Sequence, residues 1–429
     1  LVTGSADSFT RLWNMDTSVP AENPEILRGP NDEVSQIAFS QDGRWLAAGS
    51  LDGSALLWDL NTANPPANPL SLRQSNMPIF AVTFSSSGHW LATAGGGLTI
   101  WLWNLKTANP QANPADLLGN TNPVTTLAFS TSASSNTLDR WLASGSQDGS
   151  VRLWDLQTSD PNAAPRLMNT DPNHPVVGLA FSPDSHWLAA ASGFTVWVWD
   201  MSNPKAAPIA LKKHEDRVTT LAFSPDGHWL ATGSMDKTAQ LWELSSSGPS
   251  TNPLILSGHE DSVSVLAFSF DSHWLATGSQ DHTVRLWDLH AANPAINPIV
   301  LRGHDDNIHS LAFSSDGNWL ATGSDDHTTR LWDLRAANPA SDSIILIGQD
   351  GTINSIAFSQ KKSAESGANI QWLATGSSDH TVRLWFVQLG ELESQACQSA
   401  GRNLTSKEWA QYFPNQAYEK TCNQFPATP

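Results

Sequence analysis

Apolar residues in this chain fall into short runs separated by polar turns, a pattern that predicts β-strands rather than helices. The unit from Leu254 to Leu289 shows the pattern most clearly. It opens with Pro253–Leu256 and Val263–Phe268, and it continues with Trp274–Ser279 and Thr283–Trp287. Runs this short, bounded by Gly, Ser and Asp, are typical of strands. Each unit is therefore predicted to supply four strands joined as a meander.

The same unit returns nine times along the chain. The tryptophan that closes its third strand stands at Trp13, Trp58, Trp103, Trp154, Trp199, Trp242, Trp287, Trp332 and Trp385. A spacing of 43 to 53 residues is typical of repeated supersecondary units that share one core. A single four-stranded sheet with two apolar faces is not stable alone in water. Successive sheets packed face to face around an axis solve this problem, so a β-propeller is the expected architecture.

The charge of the chain argues against two classes of partner. Its 429 residues include 41 Asp and Glu against 23 Lys and Arg, for a formal net charge of −18. Such a surface repels phosphates, so neither nucleic acids nor anionic membranes are expected partners. No apolar run approaches the roughly 20 residues of a membrane span, and no signal-peptide pattern precedes the first repeat. A cytoplasmic location is expected, with an extracellular one left open.

Two short motifs, complete in only some of the units, carry a resemblance to a known family. In the unit from Leu254 to Leu289, Gly258-His259 precedes the innermost strand and Trp287-Asp288 closes the third strand. These strings resemble the WD-repeat family over residues 1 to about 389. The resemblance implies an all-β fold, a WD-repeat β-propeller of four-stranded antiparallel blades. Residues 65–389 are expected to form the main propeller. Residues 1–64 hold two repeats that belong either to the end of a preceding ring, leaving seven blades, or to one ring of eight or nine.

The resemblance also implies a hydrogen-bonded tetrad of His, Ser, Asp and Trp inside a blade. The matching residues in copies six, seven and eight are His214, Ser234, Asp236 and Trp242; His259, Ser279, Asp281 and Trp287; and His304, Ser324, Asp326 and Trp332. A buried indole N–H needs an acceptor, and an imidazole between a hydroxyl and a carboxylate satisfies all of these groups. In copies two, three, four, five and nine the His position holds Pro30, Ser75, Asn120, Pro172 and Gln349. Copies six to eight are therefore expected to be more stable than copies three to five.

Residues 390–429 depart from the repeat and are expected to form a short helical tail. Glu391–Ala400 reads as one helix, and Thr405–Glu408 is a capping box that opens a second. The tail resembles the closing segment of large bacterial multidomain WD-repeat proteins, in which a kinase, signalling ATPase or protease-like effector precedes the propeller. The chain starts inside a repeat, so such an effector domain is expected ahead of it. Cys397 and Cys422 are either a disulfide that clamps the tail or two buried thiols.

Residues that break the repeat are the candidates for binding a protein or peptide. Trp101 and Trp197 replace the Arg of the third strand, and Phe194 stands beside the second of them. Apolar anchors of this kind are used by interfaces, although the core between blades is an alternative location. The rim that carries the Gly-His loops adds the non-periodic positions Arg217, Asn307, His309, Met77 and Phe80.

The repeated His and Asp residues belong to the unit itself, so no catalytic site, metal or cofactor is expected. The predicted function is a non-catalytic protein–protein interaction module, a sensor or scaffold in a larger bacterial signalling or defence protein. One alternative is a structural subunit of a surface or filamentous assembly. A hydrolase or lyase with an axial site is disfavoured because the innermost strands, such as Val218–Phe223, carry mostly Ser, Thr and apolar residues.

Overall fold

The computed structural model describes residues 2–13, 25–28, 32–62, 69–73, 76–107, 109–131, 139–158, 165–168, 170, 173–341, 343–359, 372–387, 403 and 405. These residues form nine antiparallel sheets, each of which follows the chain as a meander. The protein is a nine-bladed β-propeller, and its sheets are numbered blades 1 to 9 in chain order.

The innermost strands pack against one another around the axis, each against that of the next blade. They are β4 (Val34–Phe39), β8 (Ile79–Phe84), β12 (Val124–Phe129), β16 (Val176–Phe181), β20 (Val218–Phe223), β25 (Val263–Phe268), β29 (Ile308–Phe313) and β33 (Ile353–Phe358). They belong to blades 2 to 9.

The second and third strands form the middle of every blade. The second strands are β1 (Val2–Gly4), β5 (Trp45–Ser50), β9 (Trp90–Gly95), β13 (Trp141–Ser146), β17 (Trp187–Ser192), β21 (Trp229–Ser234), β26 (Trp274–Ser279), β30 (Trp319–Ser324) and β34 (Trp372–Ser377). The third strands are β2 (Phe9–Leu12), β6 (Ala55–Asp59), β10 (Ile100–Asn104), β14 (Val151–Asp155), β18 (Thr195–Asp200), β22 (Ala239–Ser245), β27 (Val284–Asp288), β31 (Thr329–Asp333) and β35 (Val382–Phe386).

The outermost strands are short and belong to blades 1 to 8. They are β3 (Glu25–Arg28), β7 (Leu70–Ser71), β11 (Ala115–Leu117), β15 (Arg166–Met168), β19 (Ile209–Leu211), β24 (Leu254–Leu256), β28 (Ile299–Leu301) and β32 (Ser343–Leu346). In blade 6 a two-residue strand, β23 (Gly248–Pro249), extends the end of β22.

The hydrophobic core lies between neighbouring blades. One cluster joins Trp45 and Leu57 of blade 2 to Val82 and Trp103 of blade 3, and similar clusters fill the other described gaps. Burying a large apolar side chain contributes about 1.5 to 3 kcal/mol, so these clusters join the blades into one body.

Small residues on the second strands let neighbouring blades approach closely. A Cβ atom on Gly233 would lie only 2.8 Å from Cγ1 of Val263, the first residue of the next innermost strand. Gly278 receives Ile308 in the same way, at 2.7 Å from Cγ2. The glycine therefore forms a hole that a β-branched side chain of the next blade fills.

Every innermost strand carries a β-bulge at its start. In blade 7 the pairing with the second strand shifts between Val263 and Val265, and the other seven innermost strands shift at the same place. The extra residue, the second of the strand, is left unpaired and its side chain is re-aimed. This position becomes important at the candidate site.

The meander gives the propeller two different rims. The upper rim consists of the loops that enter the innermost strands and the turns between second and third strands. The lower rim consists of the turns between first and second strands and between third and fourth strands. The Gly-His positions among the described residues lie on the upper rim.

The all-β blade architecture predicted from the repeat is confirmed, and of the ring sizes left open the structure has nine blades. The domain boundaries at residues 64/65 and 389/390 stay predictions. The two tail helices, Cys397 and Cys422 lie outside the described residues, as do Pro30, Ser75 and Pro172. In the part of the chain that the structure describes, no helix is long and apolar enough to cross a membrane.

Candidate protein-interaction site

Blades 6, 7 and 8 each contain a buried chain of hydrogen bonds that joins the upper rim to the core. In blade 7, His259 Nδ1 lies 2.9 Å from Asp281 Oδ2, and His259 Nε2 lies 2.9 Å from Thr277 Oγ1. The indole Nε1 of Trp287 donates to the same Thr277 oxygen at 3.0 Å. A carboxylate only accepts, so Nδ1 of His259 carries a proton and donates it to Asp281.

The hydroxyl in this chain of hydrogen bonds belongs to a threonine and not to the serine predicted from the sequence. The assignment of Ser234, Ser279 and Ser324 to the tetrads is therefore corrected. Ser279 Oγ instead donates to the carbonyl of Asp261 and accepts the backbone N–H of Asp281, both at 3.0 Å. The two hydroxyls are two residues apart on one strand and share a face, but only Thr277 lies level with the indole. The equivalent threonines in blades 6 and 8 are Thr232 and Thr322.

The carboxylates of these chains are held ionised. Burial opposes the charge of Asp281, but hydrogen bonds from His259, Thr283 and the backbone of Glu260 outweigh it, so the pKa of Asp281 lies well below its ordinary value. The pKa of Asp326 is lowered in the same way. Burial also lowers the pKa of His214, against the opposing effect of Asp236, so this ring is neutral at pH 7.

In other blades, parts of this chain of hydrogen bonds are replaced or lost. In blade 9, Gln349 takes the place of the histidine, because its Oε1 accepts from Thr375 Oγ1 at 2.7 Å while Trp385 Nε1 donates to that hydroxyl. In blade 2, Ala48 stands at the threonine position. The buried indole N–H of Trp58 has no hydrogen-bond partner there among the described residues.

Blade 3 opens a small apolar pocket on the upper rim. Where blade 7 has Asp281 and Arg285, blade 3 has Gly97 and Trp101. Met77 and Trp101, both candidates from the sequence, line the resulting cavity of about 60 Å³. Trp101 is half-buried and also packs against the core cluster between blades 2 and 3. Its ring therefore contributes to the core and to the rim at once.

Phe80 and Val177 occupy the unpaired bulge position of their innermost strands. Their side chains are 40% and 53% exposed, which is unusual for large apolar residues in strands. In blade 7 the residue at this position is Ser264, whose hydroxyl donates to the carbonyl of Ile308 in the next innermost strand at 2.6 Å. Phe80 and Val177 cannot make this bond, and their larger side chains are exposed. The sequence pattern identified Phe80 but missed Val177, since periodicity does not mark bulges.

Blade 5 presents two aromatic residues on the same rim. Phe194 is 45% exposed, and its ring centroid lies 5.6 Å from that of His174. Trp197 is half-buried, with the Nζ of Lys212 lying 5.7 Å from its ring centroid. Its indole N–H is buried and has no hydrogen-bond partner within the described part of the chain.

Asn307 and His309 meet around a single carboxylate in blade 8. Asn307 Nδ2 and His309 Nε2 lie 3.1 and 2.8 Å from Oδ2 of Asp325, and Thr352 Oγ1 donates to Oδ1 at 2.7 Å. Burial raises the pKa of Asp325, but these hydrogen bonds prevail and lower it. Arg217 is exposed on blade 6, away from this group.

One structural contact on the lower rim could not be predicted from the sequence. Asp139, at the end of the insertion in blade 4, is 1% exposed and accepts hydrogen bonds from Ser86 Oγ at 3.0 Å and from Ser87 N at 3.2 Å. It also accepts the hydroxyl of Ser87. In other blades the turn supplies its own carboxylate, as Asp42 does for Ser40. The only sequence feature that could have indicated this contact was the absence of an aspartate at position 87.

Across the described ranges, no three His, Cys, Asp or Glu side chains come together as a set of metal ligands. The carboxylates of Asp281 and Asp326 are instead bound by histidines of their own blades. The distinguishing features of the molecule are thus the exposed apolar residues of its upper rim.

Comparisons with known proteins agree with this architecture. Residues 175–413, over half of the chain, match the family model described as the IFT122 first beta-propeller. Residues 22–59, 69–104 and 113–155 match the model of the WD domain, G-beta repeat.

Two relatives share short segments with the chain. The small ribosomal subunit protein RACK1 of Caenorhabditis elegans is 36% identical over 63 residues, which are 15% of this chain and 18% of that protein. MST50-interacting protein 11 of Pyricularia oryzae is 27% identical over 108 residues, 23% of this chain and 33% of that protein. The chain thus spans at most a third of either relative. By its repeats and by the match of its larger part, the chain belongs to the WD-repeat β-propellers of the IFT122 first-propeller family.

Proposed function

We propose that this propeller is a protein-interaction scaffold that binds its partner on the upper rim of blades 3, 5 and 6. The observation that carries the proposal is the distribution of exposed apolar side chains. On the upper rim of these three blades lie six exposed apolar side chains and the half-buried Trp101 and Trp197. Together they are called the apolar rim: Met77, Phe80, Leu98, Trp101, Val177, Phe194, Trp197 and Met235. Blades 7 and 8, which have complete hydrogen-bonded chains, carry polar residues at the equivalent positions.

Equivalent positions of the upper rim are apolar in blades 3, 5 and 6 and polar in blades 7 and 8. The bulge position holds Phe80 and Val177 in blades 3 and 5, but Ser264 and His309 in blades 7 and 8. The first residue after the second strand is Met235 in blade 6, and it is Gln280 and Asp325 in blades 7 and 8. Six of the apolar-rim side chains are at least 40% exposed. Exposed apolar patches are a mark of interaction surfaces.

The chemistry of the partner follows from this surface and from the charge of the chain. Aromatic residues and Met are enriched at interfaces and supply most of their binding energy. The net charge of −18 favours a partner segment with Lys or Arg around its apolar anchors, because complementary charge speeds association. The partner is therefore proposed to be a protein or peptide with apolar anchors flanked by basic residues.

The relatives give general support for this role. One of them is named as an interacting protein and the other as a ribosomal subunit protein, so each name describes a relative that associates with other macromolecules. We further propose that the chain serves as the sensor or scaffold of a larger, cytoplasmic bacterial signalling protein. The support is the resemblance of residues 390–429 to the closing segments of such proteins.

Crosslinking with matched variants tests the proposal. A photo-crosslinking residue at position 98 of the full chain captures the partner from cells of the source organism. The double variant Phe80→Ser/Val177→Ser, which installs the residue of blade 7, is expected to weaken the capture at least tenfold. The control Ile255→Ser/Phe270→Ser changes two residues that are at least as exposed but lie away from the upper rim, and it is expected to leave capture unchanged. Equal losses for both variants would refute the site.

A further inference from the structure

The outermost strands are the open edges of their sheets, and most of them are protected against pairing with another chain. In blades 1 to 7 a proline directly precedes the strand, at Pro24, Pro69, Pro114, Pro165, Pro208, Pro253 and Pro298. Proline has no N–H and cannot donate to a ladder, and proteins use it to block exposed sheet edges. The repeat therefore contains a residue that opposes edge-to-edge pairing.

Blade 8 lacks this protection at its outermost strand, β32. The residue at the proline position is Ser343, which belongs to the strand and pairs with Trp332 of β31. The other end of the strand differs as well. Ile347 stands where blades 1, 2, 5 and 7 carry a positive charge, at Arg28, Arg73, Lys212 and Arg302. Of the eight outermost strands that the structure describes, β32 is the one without the proline.

Three residues of β32 direct their backbone groups to the open edge. In blade 2, Leu72, the equivalent of Leu346, donates its N–H to the third strand at 2.7 Å. Residues alternate along an antiparallel ladder, so Ser343, Ile345 and Ile347 direct their N–H and C=O groups away from β31. β32 is the last strand of its sheet, and none of the described strands pairs with this edge.

The same three residues form an apolar strip. Their side chains share one face of the strand, while the alternate residues pack into the core between blades 8 and 9. Ile345 is 44% exposed, and Ile347, at 72%, has the most exposed large apolar side chain of the described residues. Arg330 Nη1 donates to Ser343 Oγ at 2.9 Å, which holds the start of the strand in place without the proline. Residues 343–349 carry no charge.

We propose that β32 pairs antiparallel with β32 of a second copy of this chain, so that the two four-stranded sheets become one continuous sheet. The two-fold axis passes through the pair of Ile345 residues, and Ser343 of each copy lies opposite Ile347 of the other. Each opposite pair exchanges two main-chain hydrogen bonds, which gives about six in all. The four isoleucines then form one apolar strip on a single face of the sheet.

The edge fits itself, and this property makes a second copy the proposed occupant. A two-fold contact requires one patch to be complementary to the same patch. Pairing of two β32 edges brings no like charges together and uses every outward N–H. The same pairing of blade 7 would place Pro298 opposite Arg302 and lose two donors. An edge of five residues is small beside the roughly 20 to 30 residues of a standard interface, so a weak, micromolar dimer is expected.

The charge of the chain gives the dimer a characteristic dependence on salt. Each copy carries a formal net charge of −18, so the two copies repel one another over long distances. Salt screens this repulsion, while the edge itself holds no ion pair that salt would weaken. Dimerisation is therefore expected to strengthen as salt is added. Binding of a basic partner to the apolar rim should weaken under the same conditions.

Sedimentation velocity of the full chain over a range of protein concentrations tests the proposal. We expect a monomer that converts to a dimer as the concentration rises, at lower concentrations when salt is added. Hydrogen exchange then locates the contact. The amides of residues 343–347 should exchange more slowly at concentrations where the dimer is populated, and those of the equivalent strand β24 in blade 6 should not change.

Matched variants identify the edge. Ile345→Lys places two like charges opposite each other and is expected to weaken dimerisation more than about tenfold. Ile255→Lys makes the same change at the equivalent position of blade 6, which is 54% exposed, and is expected to leave the dimer unchanged. Ser343→Pro installs the residue of the other blades and removes two donors, so it should weaken the dimer about tenfold. All three changes are at the surface, and the Tm should stay unchanged.

A chain that stays monomeric at all concentrations and salt conditions would overturn the inference, as would equal dimerisation of the Ile345→Lys and Ile255→Lys proteins. A dimer without protection of residues 343–347 would also contradict it, because the contact would then lie elsewhere. The Phe80→Ser/Val177→Ser protein is expected to dimerise normally, so this outcome is separate from that of the apolar rim.

Discussion

Replacing Thr277 by Val isolates the hydroxyl that connects the buried hydrogen-bonded chain of blade 7. The two side chains have nearly the same shape, so the change removes hydrogen bonds without opening a cavity. It removes the acceptor of the Trp287 indole at 3.0 Å and the partner of His259 Nε2 at 2.9 Å. Both of these side chains are buried, with Trp287 0% and His259 6% exposed.

The expected cost follows from the two groups left without partners. A buried polar group that loses its partner costs about 1 to 3 kcal/mol, so the variant should lose about 2 to 5 kcal/mol. Ser279→Ala removes two bonds to backbone groups near the upper rim, where water reaches more easily. Its cost should be about 1 to 2 kcal/mol. The order of the two losses therefore distinguishes the threonine from the serine.

Native-state hydrogen exchange is the suitable measurement, because the protein is a repeat array whose unfolding need not be a single two-state step. Exchange of the peptides that cover β26 and β27 reports the free energy of opening of blade 7. Peptides of blade 5 serve as an internal control and should not change.

A double-mutant cycle separates the direct hydrogen bond from indirect effects. Trp287→Phe removes the indole N–H, and the coupling free energy between it and Thr277→Val should lie in the range of about 0.5 to 3 kcal/mol typical of contacting residues. A coupling near zero, or a larger loss for Ser279→Ala than for Thr277→Val, would refute the role assigned to Thr277.

Three further predictions concern other parts of the blades. The pKa values of Asp281 and Asp326 are lowered from 3.8 in the folded protein, so the stability that these carboxylates contribute is complete above about pH 4 and is lost as the pH falls below it. The Tm measured from pH 7 to pH 2.5 should therefore fall steeply only in the acid range, and it should fall less steeply in Asp281→Asn. Asp139→Asn should destabilise blades 3 and 4 by about 2 kcal/mol, and Ser87→Asp should restore part of the loss by supplying the turn carboxylate, as exchange of β8 and β9 would show. His327 has a φ of 66°, so His327→Gly should raise stability by up to about 1 kcal/mol in urea titrations, and an unchanged or lower midpoint would contradict this account of the turn.

The repeat predicted the blades well, because one pattern of short apolar runs recurs and each copy constrains the others. The same regularity concealed which hydroxyl joins the indole. Thr277 and Ser279 are two residues apart in every regular copy and share a face of the strand. The number of blades in the ring was also left open. Ring size depends on the angle between packed sheets, and that angle is set by side-chain contacts rather than by the period of the pattern.

The periodicity of the sequence could not predict contacts between residues that are distant along the chain. Trp101 and Met77 were each identified as irregular, but only the fold brings them to one pocket. Asp139 lies 52 residues from Ser87, in an insertion that has no counterpart in the regular blades. Bulge positions such as Val177 follow no hydrophobic period, so their exposure was not predictable.

The irregular blades connect stability with binding. In blade 7, Asp281 and His259 fill the upper rim, and their hydrogen bonds lead down to the buried Trp287. Blade 3 has Gly97 and Trp101 where blade 7 has Asp281 and Arg285, and this exchange opens the pocket. The loss of a stabilising group thus creates the apolar surface. Departures from a repeat that lower local stability persist where they serve a function. The regular blades 6 to 8 are predicted to supply the stability on which the irregular blades 3 and 5 can carry most of the proposed binding surface.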